Sequence, residues 1–227
     1  IELVSPLPPV TDAVTLDGTT QPGTKPGSRR SVSQGLKVAD DVPSLQIVID
    51  GAGAGHADGL RLAAGNCIVR GLVLRHFDGS GLSLTGAGNS LVEDNLISDN
   101  GGTGISVLSG SGNRITGNSL FSNRGGGIDL SADGKNGVDL GDEDAGPNDL
   151  QNAPGLESVR RFHCDGTDAG LDESCGADDR GWTTAISGTI ESASNETFSL
   201  EFFATPPSES GIPSDPSPAA ATTQGKT

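Results

Sequence analysis

The sequence has few of the residues that build large globular cores. Met is absent, aromatic residues make up 3% of the chain, and all apolar residues together make up 33%. A large compact core is therefore not expected. No apolar run reaches the roughly 20 residues that a membrane-spanning helix needs, and no secretory signal peptide is recognisable. The chain begins at Ile1 rather than Met, so we expect a processed or excised piece of a longer protein.

Basic residues are also scarce. Fourteen Lys and Arg stand against thirty Asp and Glu, which gives a formal net charge of −16. This charge argues against nucleic acid or an anionic membrane as a partner, and it suits a surface that binds cations.

What the sequence has instead is a repeat. Four segments of the form Gly-apolar-x-apolar start 22, 23 and 23 residues apart, at Gly59, Gly81, Gly104 and Gly127. Gly, Asn, Ser and Asp separate the other apolar bursts, which are too short for helices and alternate as strands do. One such unit cannot bury its apolar side chains alone, so the units must stack. The repeat predicts an all-β fold, a parallel β-helix solenoid of about 22–24 residues per coil over residues 1–156.

A leucine-rich repeat has a period of roughly 20–29 residues and is the competing interpretation. It would need a Leu-x-x-Leu-x-Leu-x-x-Asn core and a longer return segment. Gly and Asn interrupt every candidate return segment here, which favours the β-helix.

The same 23-residue step predicts which side chains lie above one another. Like residues of parallel strands contact each other at a spacing of ~4.8 Å. Asn95 over Asn118 and Asn100 over Asn123 are expected to form amide ladders at corners. Ser106 is expected to face outward, between two inward stacks: Leu60, Leu82, Ile105 and Ile128, and Leu62, Leu84, Val107 and Leu130.

The flanks of the repeat are less regular. Residues 14–18 and 47–51 share the form apolar-x-apolar-Asp-Gly and predict rungs of earlier coils, with an excursion over residues 19–44 between them. Residues 157–180 are expected to form an acidic loop. Residues 185–190 and 198–203 predict a β-hairpin, either a cap on the solenoid or the opening of a β-sandwich-like module, with Trp182 at the junction. Residues 205–227 have the composition of a linker or tail.

An acidic, Gly-rich stretch of 21 residues follows the last regular coil. Ca²⁺ takes six to eight oxygen ligands, and a loop rich in carboxylates and amides can supply them. The spacing does not match an EF-hand, and a solvated acidic loop is the alternative. The candidate ligands are Asp129, Asp133, Asn136, Asp139, Asp142, Glu143, Asp144, Asn148 and Asp149.

The three cysteines fall into two groups, a candidate disulfide pair, Cys164 and Cys175, and the separate Cys67. Cys164 and Cys175 flank a short acidic loop, which predicts a disulfide worth roughly 3 kcal/mol and hence an oxidising compartment. Metal-bound or free thiols are the alternative, although His163 alone does not complete a zinc set. Cys67 is expected to be a small buried thiol.

Charged residues on outward strand positions are the only catalytic candidates. The repeat places Arg70 beside Glu93 and His76 beside Asp99, and Arg75 lies next to His76. A His76–Asp99 dyad is one interpretation and a solvated ion pair is the other. Within the repeat, residues 59–130, there is no Asp-Asp or Gly-His-Gly motif of the galacturonase kind.

Several segments together resemble a family of bacterial right-handed parallel β-helix repeat proteins. The similarity covers most of residues 1–204, with Asp-Gly-Thr-Thr-Gln-Pro-Gly at 17–23 and Gly-Pro-Asn at 146–148 as the most specific segments. The resemblance implies a right-handed solenoid in a large secreted or surface-attached protein that extends past both ends of this chain. It implies no established activity.

Two functions follow as hypotheses. One is an extracellular structural or binding module, such as a stalk, adhesin or surface-assembly segment, stabilised by Ca²⁺. Its partners would be carbohydrate or further copies that associate through the solenoid ends. The other is a lyase, hydrolase or epimerase that acts on an acidic polysaccharide.

Overall fold

A computed structural model describes residues 1–25, 44–131, 138–164, 181–192, 200–201 and 222–223. The described residues contain β-strands and two short 3-10 turns, Gly18–Thr20 and Pro147–Leu150, and no α-helix. Accordingly, no helix in these ranges is long and apolar enough to cross a membrane.

Twelve short strands form the solenoid. In chain order they are β1 (Thr15–Asp17), β2 (Ile47–Asp50), β3 (Leu60–Leu62), β4 (Ile68–Arg70), β5 (Leu72–Arg75), β6 (Leu82–Leu84), β7 (Leu91–Glu93), β8 (Leu96–Ser98), β9 (Ile105–Val107), β10 (Arg114–Thr116), β11 (Ser119–Phe121) and β12 (Ile128–Leu130).

The strands stack into three parallel sheets, each with four strands. Sheet 1 has the order β1-β4-β7-β10, sheet 2 the order β2-β5-β8-β11, and sheet 3 the order β3-β6-β9-β12. Successive strands of the chain belong to successive sheets, so each coil contributes one strand to each. The predicted parallel β-helix is confirmed.

Both predicted inward stacks are present in sheet 3. Leu82 pairs with Leu60 below and Ile105 above, and Leu62, Leu84 and Val107 follow the same register. These side chains are at most 6% exposed. Inward side chains of sheets 1 and 2, such as Val69, Val92 and Ile97, pack against these stacks and complete one narrow core. Because each coil contributes only three short strands, aliphatic side chains fill this core, which explains how a chain with few aromatic residues can fold.

The outward row of sheet 3 departs from expectation. Ser106 points away from the core but is only 4% exposed, and Ser83 below it is fully buried. Corner loops beside the sheet cover this row: the Ser83 hydroxyl donates to Asp58 Oδ2 over 2.9 Å. Outward direction therefore does not mean solvent exposure on this face, and the sequence alternation alone could not show the difference.

Amide ladders close the corners. Asn118 Oδ1 accepts hydrogen bonds from the backbone N–H and the Nδ2 of Asn95, and Asn123 does the same for Asn100. The Oδ1 of Asn95 in turn accepts the backbone N–H of Leu72, and the Oδ1 of Asn100 accepts that of Phe77. Both predicted ladders are confirmed.

The N-terminal segment supplies a partial first coil. Glu2 pairs in parallel with Asp50 at the edge of sheet 2, and Val10 with Leu62 at the edge of sheet 3. β1 and β2 are the predicted early rungs. The excursion between them leaves and returns through an antiparallel Lys25–Ser44 bridge; residues 26–43 lie outside the described ranges.

The predicted C-terminal hairpin has a different partner. β14 (Gly181–Thr189) pairs antiparallel with β13 (Gly155–Cys164), so residues 155–164 form a strand rather than part of an acidic loop. β15 (Leu200–Glu201) pairs instead with β16 (Thr222–Thr223). The strand β13 was missed because residues 155–160, whose burial is described, include no buried apolar side chain: Val159, opposite Ile186, is 60% exposed.

Candidate metal centre

Three carboxylates converge in the excursion that follows β12. Asp139, Asp142 and Asp144 each place an oxygen within 4.8 Å of those of the other two. The Oδ2 of Asp139 accepts the Glu143 N–H over 3.0 Å, which folds the loop back on itself. Asp142 is fixed from the opposite side, because its two oxygens accept hydrogen bonds from the Asn152 N–H and the Ser192 hydroxyl.

The electrostatics of this cluster are unfavourable without a cation. Loss of surrounding solvent raises the pKa of Asp144, and the charges of Asp139 and Asp142 raise it further, although the side chain remains exposed. The Oδ1 of Asp139 is buried and has no hydrogen-bond partner among the described residues. A bound cation would offset the repulsion between the carboxylates and would give the unpaired Asp139 oxygen a partner.

The carboxylate oxygens of the cluster are close enough together to bind one cation. Ca²⁺–O distances are about 2.3–2.6 Å, so two ligand oxygens on opposite sides of the ion are roughly 5 Å apart. The carboxylates lie within that limit. Mg²⁺ demands a near-ideal octahedron with distances of about 2.0–2.1 Å, which a long irregular loop supplies less readily. Three carboxylates supply only part of a calcium shell, and backbone carbonyls or water would complete it.

Three other predicted ligands, Asn148, Asp149 and Asp129, are in described residues and lie outside this cluster. Asn148 is engaged with Asn113 through both ends of its amide, and Asp149 Oδ1 accepts a hydrogen bond from the Ser111 hydroxyl over 2.8 Å. Asp129 is buried in strand β12. Asp133 and Asn136 lie outside the described residues. The structure thus brings together three of the predicted ligands, whereas Asn148 and Asp149 contact residues of the last regular coil instead.

Arg70 lies in an outward row of sheet 1 between two carboxylates. It contacts Asp17 over 2.7 Å and Glu93 over 3.4 Å, so the predicted Arg70–Glu93 neighbours are confirmed. Hydrogen bonds from Arg70 and from Thr19 lower the pKa of Asp17 to about 2. The guanidinium is therefore neutralised by groups of its own chain.

His76 and Arg75 share a different carboxylate. His76 Nδ1 lies 3.0 Å from Asp50, on the preceding coil, and Arg75 donates to the same residue over 2.9 Å. Burial alone would raise the pKa of Asp50, but hydrogen bonds from the Ala52 N–H, His76 and Arg75 lower it overall. His76 thus contacts Asp50 of the preceding coil rather than the expected Asp99, and its backbone at this corner is left-handed, with φ of 59°.

A second histidine pair was missed by the sequence argument. His56 Nδ1 lies 2.7 Å from Asp78 in an open surface depression that Asp58 also lines. The His56 side chain is 99% exposed. The two residues lie on corners of successive coils, 22 positions apart, and that repeat spacing was the available signal.

The cysteine predictions have different outcomes. Cys67 is a free, buried thiol, as expected. Cys164 ends strand β13, whereas Cys175 lies outside the described residues, so the Cys164–Cys175 disulfide stays a prediction.

Comparison with known proteins adds the hand of the solenoid. Residues 49–140 match the family model described as right handed beta helix region. This stretch is a right-handed β-helix. The match runs from the end of β2, through all later solenoid strands, into the acidic excursion, and with the stacked coils it supports the β-helix repeat family that the sequence resembles. No curated protein matches the chain. No solved structure matches it either.

Proposed function

We propose that this chain is an extracellular or cell-surface structural or binding module whose solenoid end is stabilised by Ca²⁺. The observation that carries the proposal is the convergence of Asp139, Asp142 and Asp144 directly after the last regular coil. The cluster is tied to the solenoid side by Asn152 and to the hairpin side by Ser192, so a bound ion would hold both.

The charged outward rows support a structural role. Arg70 is paired with Asp17 and Glu93, and Arg75 and His76 are paired with Asp50. An enzyme acting on an acidic glycan needs cationic groups that are free to meet substrate carboxylates. Cross-coil ion pairs instead fasten adjacent coils to each other.

The extracellular location has two supports. Ca²⁺ is a ligand of extracellular modules at concentrations of about 10⁻⁴–10⁻³ M. The predicted Cys164–Cys175 disulfide would require an oxidising compartment. Intact mass before and after reduction and alkylation tests this second support: one bridge is expected, and three readily alkylated thiols in the native protein would contradict it.

Calorimetry and thermal denaturation test the calcium proposal. We expect one binding event at millimolar Ca²⁺ or below, and a melting temperature that rises by several degrees, because a ligand of the folded state at a hundredfold excess over its Kd adds about 2.7 kcal/mol. EDTA should reverse the shift, and Mg²⁺ should produce much less. Absence of any Ca²⁺ binding up to about 10 mM, far above the range of protein calcium sites, would reject the proposal.

Two matched variants locate the site. Asp144→Asn removes one carboxylate of the cluster and should abolish most of the Ca²⁺ shift, while the melting temperature without metal stays equal or rises because repulsion falls. Asp149→Asn removes the same charge from the same acidic stretch of sequence but outside the cluster, and should respond to Ca²⁺ as the parent does. Equal loss in both variants would mean that only net charge matters.

Polysaccharide cleavage is the competing function, and the His56–Asp78 depression is the feature that favours it. The exposed imidazole leaves Nε2 available to exchange a proton. Reducing-sugar and lyase assays on pectin, alginate and other uronic-acid polymers, with and without Ca²⁺, distinguish the two functions. Turnover that is lost in His56→Ala would establish the enzyme, and no turnover is expected for a structural module.

A further inference from the structure

Residues 146–152, named the strap here, join three parts of the molecule. The first contact is with the last regular coil. The backbone N–H of Asn148 donates to the Gly110 carbonyl over 2.9 Å. The Oδ1 of Asn148 accepts the Asn113 N–H over 2.8 Å, and the Nδ2 of Asn148 donates to the Asn113 carbonyl over 2.9 Å.

This contact continues a column of the solenoid. Ser90 Oγ accepts the Cys67 N–H, and Asn113 Oδ1 accepts the Ser90 N–H, each 23 residues further along the chain. The next member of the column comes 35 residues after Asn113 rather than 23, because Asn148 takes the place. The acidic excursion is thus an insertion within a coil, and the strap resumes the coil after it.

The second and third contacts meet at Asn152, whose side chain is fully buried. Its Oδ1 accepts the Asp139 N–H over 3.0 Å, and its Nδ2 donates to the Asp139 carbonyl over 2.8 Å. The same Nδ2 donates to the carbonyl of Glu191, two residues past the end of β14, over 2.9 Å. One buried amide therefore holds both the acidic excursion and the strand hairpin.

We propose that the strap is a joint that couples the last coil, the acidic excursion and the β13–β14 hairpin, so that loosening it at one end loosens the other. Only three residues separate Asn148 from Asn152, and each amide is the partner of backbone groups that would otherwise be buried without one. All these contacts are made within the chain. The proposal therefore does not depend on Ca²⁺ and is tested in its absence.

Hydrogen exchange of the full chain in EDTA measures the coupling. Asn148→Ala should accelerate exchange of the Asn113 N–H roughly tenfold, and Asn152→Ala should do the same for the Asp139 N–H, because each loses its acceptor. The decisive result is the far effect: Asn148→Ala should also accelerate the Asp139 N–H, and Asn152→Ala the Asn113 N–H, by at least about threefold. Faster hydrogen exchange only at the mutated end of the strap would overturn the proposal.

The control lies within the strap. Gln151 is also buried, at 9% exposed, but its Nε2 has no partner among the described residues, so Gln151→Met should leave both amides protected. Loss of protection in Gln151→Met equal to that in Asn152→Ala would also overturn the proposal. The Leu72 N–H, held by Asn95 in the regular coils, reports global unfolding. If it accelerates too, Asn148→Asp decides by the same far-effect criterion. This change keeps the Oδ1 acceptor, replaces the Nδ2 donor with an oxygen and adds one negative charge.

Discussion

Asn95 donates from Nδ2 to the Oδ1 of Asn118 over 2.9 Å, although the two residues are 23 positions apart in the chain. The same Oδ1 accepts the Asn95 backbone N–H, and the Asn118 Nδ2 donates to the Val92 carbonyl. Both side chains are at most 3% exposed. The corner is thus sealed by side-chain amides where the strands cannot pair.

Asn118→Ala should destabilise the protein by about 2–4 kcal/mol, because it leaves several buried backbone and side-chain groups without partners. Urea denaturation followed by circular dichroism measures this change. Asn123→Ala, at the partly buried end of the other ladder, should cost less. An equal cost for both variants would mean that burial does not set the value of the ladder.

An Asp introduced into the core or into the covered outward row of sheet 3 should in both cases strongly lower the stability of the fold. Ile105→Asp should abolish folding, because an unpaired carboxylate would lie between apolar rungs. Ser106→Asp should also destabilise strongly, since Ser106 is only 4% exposed. Arg61→Asp, at the exposed position of the same outward row, is the control and should cost less than about 1 kcal/mol. A silent Ser106→Asp in thermal denaturation would contradict the covered face.

The Asp17–Arg70 pair predicts a step in acid stability. The pKa of Asp17 falls from 3.8 to about 2 on folding. The folded state therefore binds this proton less readily than the unfolded state, so the contribution is complete above pH 3.8 and is lost as the pH falls toward 2. Because Arg70 is 39% exposed, solvent screening limits the gain to on the order of 1 kcal/mol.

Urea midpoints measured from pH 5 to 2 check this step. Asp17→Asn should lower stability at pH 5 and show a shallower decline with acid than the parent. Parallel curves for the two proteins would show that the pair contributes nothing on folding.

Replacement by glycine should stabilise the protein at corner positions whose backbone has a positive φ. Ser122 has φ of 54° and an exposed side chain, in the same corner column as His76 and Asp99. Ser122→Gly should raise stability by about 0.5–1 kcal/mol, since glycine adopts this conformation without strain. Ser119→Gly, in strand β11, is the matched control and should lower it. Thermal denaturation that gives both changes the same sign would contradict the corner geometry.

The repeat made most of the solenoid predictable. Stacking at a fixed step places Leu82 under Ile105 and Asn95 under Asn118 whatever the details of the loops. The contacts that were missed do not follow the 23-residue spacing of the repeat. Asn148 replaces a column member after an insertion, and His76 turns at a corner toward Asp50, so neither contact follows from counting residues.

The candidate metal centre was predictable only in outline. Composition indicated an acidic, cation-binding loop, but the choice of Asp139, Asp142 and Asp144 depends on the strap, where buried Asn152 fixes the loop. Asn152 carries no signal of its own in the sequence, because a buried amide and an exposed one look the same there.

A crystal structure determined with Ca²⁺ tests the central claim most directly. We expect one ion that contacts carboxylate oxygens of Asp139, Asp142 and Asp144 at about 2.3–2.6 Å, with carbonyl oxygens or water filling the remaining positions. An ion bound elsewhere, or no ion at this cluster in crystals that contain 10 mM Ca²⁺, would contradict the account.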